Sequence, residues 1–313
     1  MKRIFLPTLL IATLLLVQSC GEKESLQEFF AGTLPNIEIR EGESVRYIEP
    51  KSLFIRILND EAEVEGQLYP IERLLEDEEK IVFAADFPIG SEVTVSGMTY
   101  LKSAQKLELE LGALNRIITL ELFDQMISRK ASSFVEVDLS ADISHLSDKQ
   151  KEMLRLLFKV ADIMEDIYWA QVFPDRDAAL TSMVNEDVSR FFKINYGPWE
   201  RLNGNLPYLP DYGAKPAGSG YYPADMTKAE FEDLEDPAKT GLYTIIRRSE
   251  DGNLKVLPYH KAWAEQVKEA SGLLIEAAEL AEDPALFIED VCLGELRAVV
   301  EIDDLLRFDE PAL

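Results

Sequence analysis

The sequence is poor in cysteine, histidine and basic residues, and each shortage excludes a class of function. The two cysteines, Cys20 and Cys292, are too few for a disulfide framework, and with only His145 and His260 they cannot complete a cysteine zinc site. Neither histidine lies in a zinc-binding spacing of the His-Glu-x-x-His kind. Only 32 basic residues stand against 58 acidic ones, a net charge of −26. This charge argues against a nucleic-acid surface and against docking on anionic lipid.

Several catalytic motifs are missing as well. The chain has no nucleophile elbow, no Walker loop and no dinucleotide fingerprint. The glycine-rich run at 213–220 follows no apolar strand, so it is a weak phosphate cradle. The hydrophobic fraction of 47% is typical of a globular protein, and 313 residues favour about two domains.

The first twenty residues have the pattern of a bacterial export signal. Lys2 and Arg3 precede an apolar run from Ile4 to Val17, which is short for a membrane span. The run closes on Val-Gln-Ser-Cys, which is similar to a lipobox. We predict a lipoprotein signal peptide at 1–20, a diacylated Cys20 and a polar tether at 21–35. The protein would then be exported and tethered on the periplasmic or cell-surface side of a bacterial membrane. The alternative is an ordinary secretory signal.

Residues 36–112 alternate between apolar and polar positions in short runs, which predicts a small all-β domain with one short helix near 71–75. Its expected role is that of a spacer or an accessory binding domain. The predicted strands cover 37–40, 52–57, 62–68, 80–83, 92–95 and 106–111.

Residues 114–286 are predicted to be mainly helical, so the fold class is α+β. Ser147 and Gln150 form a capping-box pattern before a long amphipathic helix, and further helices are predicted over 177–193 and 259–281. A β-hairpin is predicted at 242–257. Three carboxylates of the long helix could indicate a metal, but their helical spacing without histidine favours a solvated face. They are Asp162, Glu165 and Asp166.

The segment 195–226 is too long for a simple connection and too aromatic for a disordered linker. It carries two interpretations: an ordered loop that lines a cleft, or a purely structural loop wrapped on the helical body.

The run from Val137 to about Pro284 resembles the N-terminal part of the catalytic region of the dipeptidyl peptidase III family. It is closest to the bacterial form, which is also seen fused behind a Nudix domain in plants. The segments that carry the resemblance are DLSADISHLS at 138–147, INYGPWERL at 194–202, KPAG at 215–218, YPADMTK at 222–228 and YTIIRR at 243–248. The resemblance implies a two-lobed zinc peptidase that releases N-terminal dipeptides from short peptides. The long Gly/Glu/Arg-Glu signature of a Nudix hydrolase is absent.

The departure from the family is large, because its His-Glu-x-x-x-His zinc helix and downstream Glu ligand are missing. No catalytic or metal-binding residue can be carried over, and the chain is predicted to be inactive with no cofactor, although the full-length family uses zinc. The alternative is a non-enzymatic, membrane-tethered lipoprotein that binds peptides or a partner protein. Seven loop residues are candidates for shaping a peptide cleft, and none is a catalyst: Trp199, Arg201, Asn203, Lys215, Tyr221, Tyr222 and Asp225.

The expected partners follow from these interpretations. They are short peptides, a membrane through the anchor at Cys20, and further copies of the chain through apolar surface on a partial lobe, with no nucleic acid.

The tail at 287–313 diverges from the family pattern, and we expect a frameshift near Leu286. Codons for 302–309 can be chosen that, read one base later, give Leu-Thr-Thr-Tyr-Tyr-Ala-Ser, similar to the family's Asp-Asp-Tyr-Tyr segment. The gene sequence downstream of Leu286 is therefore expected to encode the zinc motif in another frame. A gene without that motif in any frame would contradict the frameshift and leave a natural, non-catalytic derivative.

Overall fold

The first part of the chain forms an antiparallel sheet that curls almost into a barrel. The computed structural model describes residues 26–41, 44–91 and 93–281. The strands of this part are β1 (Gln27–Leu34), β2 (Ile37–Glu41), β3 (Ser44–Ile48), β4 (Lys51–Leu58), β5 (Glu61–Val64), β6 (Gln67–Pro70), β7 (Glu72–Glu76), β8 (Lys80–Ile89), β9 (Val93–Leu101), β10 (Lys106–Leu111) and β11 (Arg116–Leu122). Within the described residues, nine of them pair in the order β6-β5-β4-β1-β11-β10-β9-β8-β7, and β2 pairs with β3 in a separate hairpin.

Alternating side chains build the core of this sheet. On β10, Leu107, Leu109 and Leu111 are buried while the residues between them face outward, because successive side chains of a strand point to opposite faces. The two ends of the sheet approach each other where the Tyr69 ring of β6 lies 5.5 Å from the Phe87 ring of β8. The near-closure covers the apolar interior and leaves short edges.

The helix predicted near 71–75 is wrong, because this segment is the edge strand β7. Ile71, Leu74 and Leu75 have helical spacing, but the chain pairs with β8, and the register shifts between Arg73 and Leu75. Pairing with a neighbouring strand therefore overrides the local pattern.

The single strand predicted over 62–68 is also wrong. Glu65 and Gly66 have φ of 52° and 77°, so the chain turns there and β5 pairs antiparallel with β6. Positive φ at both central residues is typical of a tight two-residue hairpin.

The sheet extends beyond the strands predicted over 36–112. It begins at Gln27, within the segment predicted as a tether, and ends at Leu122, within the segment predicted as helical. Both additional strands are held by long-range pairing, since β1 pairs along its length with β4 and also contacts β11.

The rest of the described chain is mainly helical and contains the predicted hairpin, so the α+β class is confirmed. Its helices are α1 (Phe123–Ser132), α2 (Asp148–Val172), α3 (Arg176–Ser182), α4 (Glu186–Asn195), α5 (Lys228–Asp233), α6 (Tyr259–Ala262) and α7 (Ala264–Leu280). Its strands are β12 (Trp199–Glu200), β13 (Leu206–Pro207), β14 (Thr244–Arg248) and β15 (Leu254–Pro258), and short 3-10 turns cover Gly112–Leu114, Ser219–Tyr221 and Pro237–Thr240. The capping box of Ser147 and Gln150 is confirmed at the start of α2.

Two of the predicted helices are divided. The helix predicted over 177–193 is α3 and α4, and the side chain of Asn185 caps α4 by accepting hydrogen bonds from the backbone of Asp187 and Val188. The helix predicted over 259–281 is α6 and α7, separated at Trp263, whose φ of −125° is not helical.

Two apolar clusters join these elements. Ala31 and Phe54 of the sheet pack with α1 and α4 around the buried Phe192, so the outer face of the sheet shares a core with the helical body. A second cluster joins α2, the β14–β15 hairpin and α7 around Ile167 and Trp263.

The predicted signal peptide, Cys20 and the tail at 287–313 lie outside the described residues. Within the described ranges, no helix combines the length and apolar character that crossing a membrane requires.

The burial pattern of the sheet predicts that the same substitution, leucine to alanine, has very different effects at a buried and at an exposed position. Leu109→Ala removes a fully buried side chain and should lower the free energy of unfolding by about 2–5 kcal/mol, since a cavity remains. Leu74→Ala, at a side chain that is 60% exposed, is the matched control and should change it by about 0.5 kcal/mol or less. Urea unfolding of both variants measures the difference; equal losses would contradict the burial of Leu109.

Candidate functional site

The loop 195–226 is ordered from its first residue. Asn195 is buried at the end of α4, where its Nδ2 donates to the Phe191 carbonyl at 3.0 Å and its Oδ1 accepts from the Arg201 backbone N–H at 3.0 Å. Tyr196 follows with φ of 54°, which reverses the chain direction. One buried amide thus fixes both the end of α4 and the path of the loop.

Trp199 lies in the interior of the loop. It is 7% exposed, its Nε1 donates to the Gly213 carbonyl at 3.0 Å, and its ring lies 5.8 Å from that of Phe173 and 6.5 Å from that of Tyr212. Beside it, the hydroxyl of buried Tyr208 donates to the Gly197 carbonyl at 2.8 Å, and burial raises the pKa of that hydroxyl. Trp199 therefore shapes the loop by packing inside it.

Arg201, Asn203 and Lys215 surround the β12–β13 hairpin. The Arg201 guanidinium carbon lies 5.7 Å from the Tyr196 ring centre, and the Lys215 Nζ lies 5.8 Å from the Trp199 ring centre. The structure thus places Arg201, Asn203 and Lys215 around one hairpin, with the enclosed Trp199 ring next to Lys215.

Hydrogen bonds fix this surface. Asn203 Nδ2 donates to a carboxylate oxygen of Glu200 at 3.1 Å, and that oxygen also binds Lys130 of α1. Lys215 Nζ lies 3.5 Å from Asn205 Oδ1, at the limit of a hydrogen bond. Burial and, to a lesser extent, the nearby Arg201 lower the pKa of Lys215.

The remaining three candidates belong to a second group, which contacts α2, α5 and β14. The Tyr221 hydroxyl donates to Gln171 Oε1 at 3.2 Å, and the Tyr222 ring lies 5.8 Å from that of Phe231. Asp225 forms an ion pair of 2.9 Å with Arg248. Across residues 26–41, 44–91 and 93–281, no hydrogen bond, ion pair or ring contact joins this group to the first.

Residues outside the predicted set hold the second group in place. The half-buried Arg247 donates to the Gly220 carbonyl at 2.7 Å, and burial lowers the pKa of its guanidinium. Gly220 approaches the backbone of α2 closely enough that a side chain would not fit. The double arginine of the hairpin is visible in the sequence, but nothing there shows that one arginine binds a carbonyl while the other binds carboxylates.

A cavity of about 640 Å³ lies between the front sheet and the loop. One wall consists of β1, β4 and β5, with Phe29 and Phe54 contributing rings, and the other is residues 206–214 with Tyr212. Arg56 lies 4.9 Å from the Phe29 ring centre and pairs with Glu63 at 3.0 Å. None of the seven candidates lines this cavity, and sequence reasoning missed it because its walls are distant in the chain.

Two of the three carboxylates of α2 have partners on other elements. Asp162, Glu165 and Asp166 are exposed, Glu165 accepts from the Tyr196 hydroxyl at 3.2 Å, and Asp166 pairs with Arg176 at 2.7 Å. In the part of the chain that the structure describes, no group of three or more His, Cys, Asp or Glu side chains is placed to hold a metal ion.

Comparison with known proteins gives partial similarities. No protein-family model matches the chain. Nudix hydrolase 3 of Arabidopsis thaliana is 25% identical over 222 residues, 51% of this chain and 29% of the plant protein. The structure of DPP III from Caldithrix abyssi is 31% identical with a TM-score of 0.47, over 55% of this chain and 34% of that one. Dipeptidyl-peptidase III from Corallococcus sp. strain EGB is 26% identical with a TM-score of 0.48, over 56% and 37%.

The chain is therefore similar to dipeptidyl peptidase III proteins over about half of its own length. It spans about a third of the length of the relatives that it matches.

The contact of the loop with α2 predicts a second pair of matched variants. In Gly220→Ala, the new Cβ would lie 2.5 Å from the Gln171 carbonyl oxygen and 2.8 Å from that of Ala170, so α2 and the loop must separate. We expect a loss of about 1–3 kcal/mol in the free energy of unfolding. Gly213→Ala meets nothing within 4 Å and should be neutral or slightly stabilising. Urea unfolding checks both, and an unaffected Gly220→Ala would contradict the close approach.

Proposed function

We propose that the chain is the N-terminal, non-catalytic portion of an exported dipeptidyl-peptidase-III-like zinc peptidase. In this function, the loop 195–226 contributes surface to a peptide cleft, and the chemistry belongs to residues that this chain lacks. The observation that carries the proposal is that the loop is ordered around buried Trp199 and Tyr208 and anchored by Asn195. An ordered loop of this length is usually functional.

The segments that resemble the family also meet in space, which supports the proposal. Arg248, from the YTIIRR segment, pairs with Asp225 of the YPADMTK segment and, at 3.1 Å, with Glu230 of α5. Arg247 of the same segment binds the loop at Gly220. Residues that are far apart in the chain and share the family pattern therefore stabilise one another.

The residues present do not fit the zinc of the family. Zinc in a peptidase needs three protein ligands and a general base, and the sequence lacks both the His-Glu-x-x-x-His motif that supplies two of the ligands with the base and the downstream Glu motif that supplies the third ligand. His145 is exposed just before α2, and His260 is partly buried in α6. The hydrolase activity named for the plant relative is not transferred, because the Nudix signature is missing.

Metal analysis and an activity assay on the purified chain test the proposal. We expect no stoichiometric zinc by mass spectrometry and no release of naphthylamine from dipeptidyl-naphthylamides. A fluorescent pentapeptide should nevertheless bind, as measured by anisotropy, and should remain intact by mass spectrometry. Stoichiometric zinc with turnover would contradict the non-catalytic assignment, and the absence of any peptide binding would contradict the cleft.

The second candidate function is a membrane-tethered lipoprotein that binds peptides or a partner protein without belonging to an enzyme. The cavity between the front sheet and residues 206–214 favours it, because its volume of about 640 Å³ is within the range of ligand pockets. The state of the chain in solution separates the two functions. Phe158 of α2 is 68% exposed and Ile275 of α7 is 62% exposed, so a partial lobe should self-associate. A chain that sediments as a monomer and unfolds in one cooperative transition would favour the second function.

A further inference from the structure

Two cations near the β12–β13 hairpin have no carboxylate partner. Arg201 and Lys215 form no ion pair within the described residues, and no described group accepts a hydrogen bond from the Arg201 guanidinium. The chain has 58 acidic and 32 basic residues, so acidic partners are abundant elsewhere. The neighbouring Lys130, for example, binds Glu200. Other described cations, such as Arg116 and Lys255, also form no ion pair; what Arg201 and Lys215 share is a position beside one hairpin, where Arg201 lies in the β12–β13 turn and Lys215 reaches Asn205.

The two side chains are held in place by aromatic rings. The guanidinium of Arg201 lies over Tyr196, and the ammonium of Lys215 lies over Trp199. Such cation–π contacts stabilise each cation by about 0.5–1 kcal/mol at exposed sites. They use the face of the guanidinium and one side of the ammonium, so N–H donors stay available to a ligand.

The backbone of the hairpin is rigid at this point. Asn203 and Asn205 both donate their backbone N–H to the Glu200 carbonyl at 3.0 Å, and Gly204 and Asn205 adopt positive φ of 61° and 58°. Lys215 is linked to the same turn through Asn205. The cations are thus placed before any ligand arrives, which lowers the entropy lost on binding.

We propose that Arg201 and Lys215 bind a peptide carboxylate, either the C-terminal carboxylate or an acidic side chain. This inference rests on the peptide cleft of the proposed function and specifies the ligand that the cleft takes. A guanidinium presents paired N–H donors that match the two oxygens of a carboxylate, and the ammonium adds a point charge. Burial lowers the pKa of Lys215, and the nearby charge of Arg201 lowers it further.

Peptide binding tests the inference with three pentapeptides that differ only in their acidic group. One has a free C-terminus, one is amidated, and one is amidated with a glutamate in the chain. We expect the free acid or the glutamate peptide to bind about five- to tenfold more tightly than the neutral amide. Arg201→Gln and Lys215→Gln should remove this preference. Arg116→Gln and Lys255→Gln make the same charge changes at exposed positions and should keep it. Equal binding of all three peptides would overturn the inference and leave the proposed cleft standing.

A second measurement examines the cation pair without a peptide. In the chain with ¹³C-methylated lysines, the Lys215 resonance is assigned by its loss in Lys215→Gln. N-acetylalanine should shift that resonance and raise the pKa of Lys215, whereas N-acetylalaninamide should not. If no peptide binds but N-acetylalanine acts in this way, the proposed function fails and the carboxylate site stands. A Lys215 resonance that responds to neither compound, or equally to both, would overturn the site.

Discussion

The buried indole N–H of Trp199 sets the shape of the loop, because a buried donor must find an acceptor. An unsatisfied group of this kind costs about 1–3 kcal/mol, and the Gly213 carbonyl is the acceptor at 3.0 Å. This bond joins the hairpin strand β12 to a segment fourteen residues later in the chain. Consequently the intervening turn is closed, Tyr212 packs against the indole, and Lys215 lies over the ring. The positions of the surface cations therefore depend on a contact beneath them.

The net charge of the protein limits which anions can reach Arg201 and Lys215. With a net charge of −26, the surface repels anions at long range, and salt at physiological strength screens that repulsion beyond about 8 Å. At short range the neighbouring charges are already paired. Glu200 binds Lys130 and Asn203, and in the second group Arg248 binds Asp225 and Glu230. A ligand that carries one carboxylate on an otherwise neutral chain suits this combination better than a polyanion.

Local patterns in the sequence were sufficient for the parts of the fold that depend on neighbouring residues. The capping box at Ser147 and the hairpin of β14 and β15 are confirmed, because each depends on contacts a few residues apart. The strands β1 and β11 were not predicted, since their partners are distant in the chain. The loop was recognised as ordered, but the sequence could not show which side of it faces the helices. Trp199 was predicted to shape a cleft, and in the structure its ring is enclosed within the loop.

The contact between the front sheet and the helical body bears on the role of the front domain. A spacer is expected to be joined by a flexible linker, which leaves the two parts free to move. Here Ala31 and Phe54 of the sheet belong to the same apolar cluster as Phe192 and Trp199, and the Phe29 ring stacks on Phe123 of α1 at 4.8 Å. Separating the two parts would expose these rings to water, at about 25 cal/mol per Å² of apolar surface. The cavity therefore lies between two parts that share one apolar core, an arrangement that a freely moving spacer would not keep.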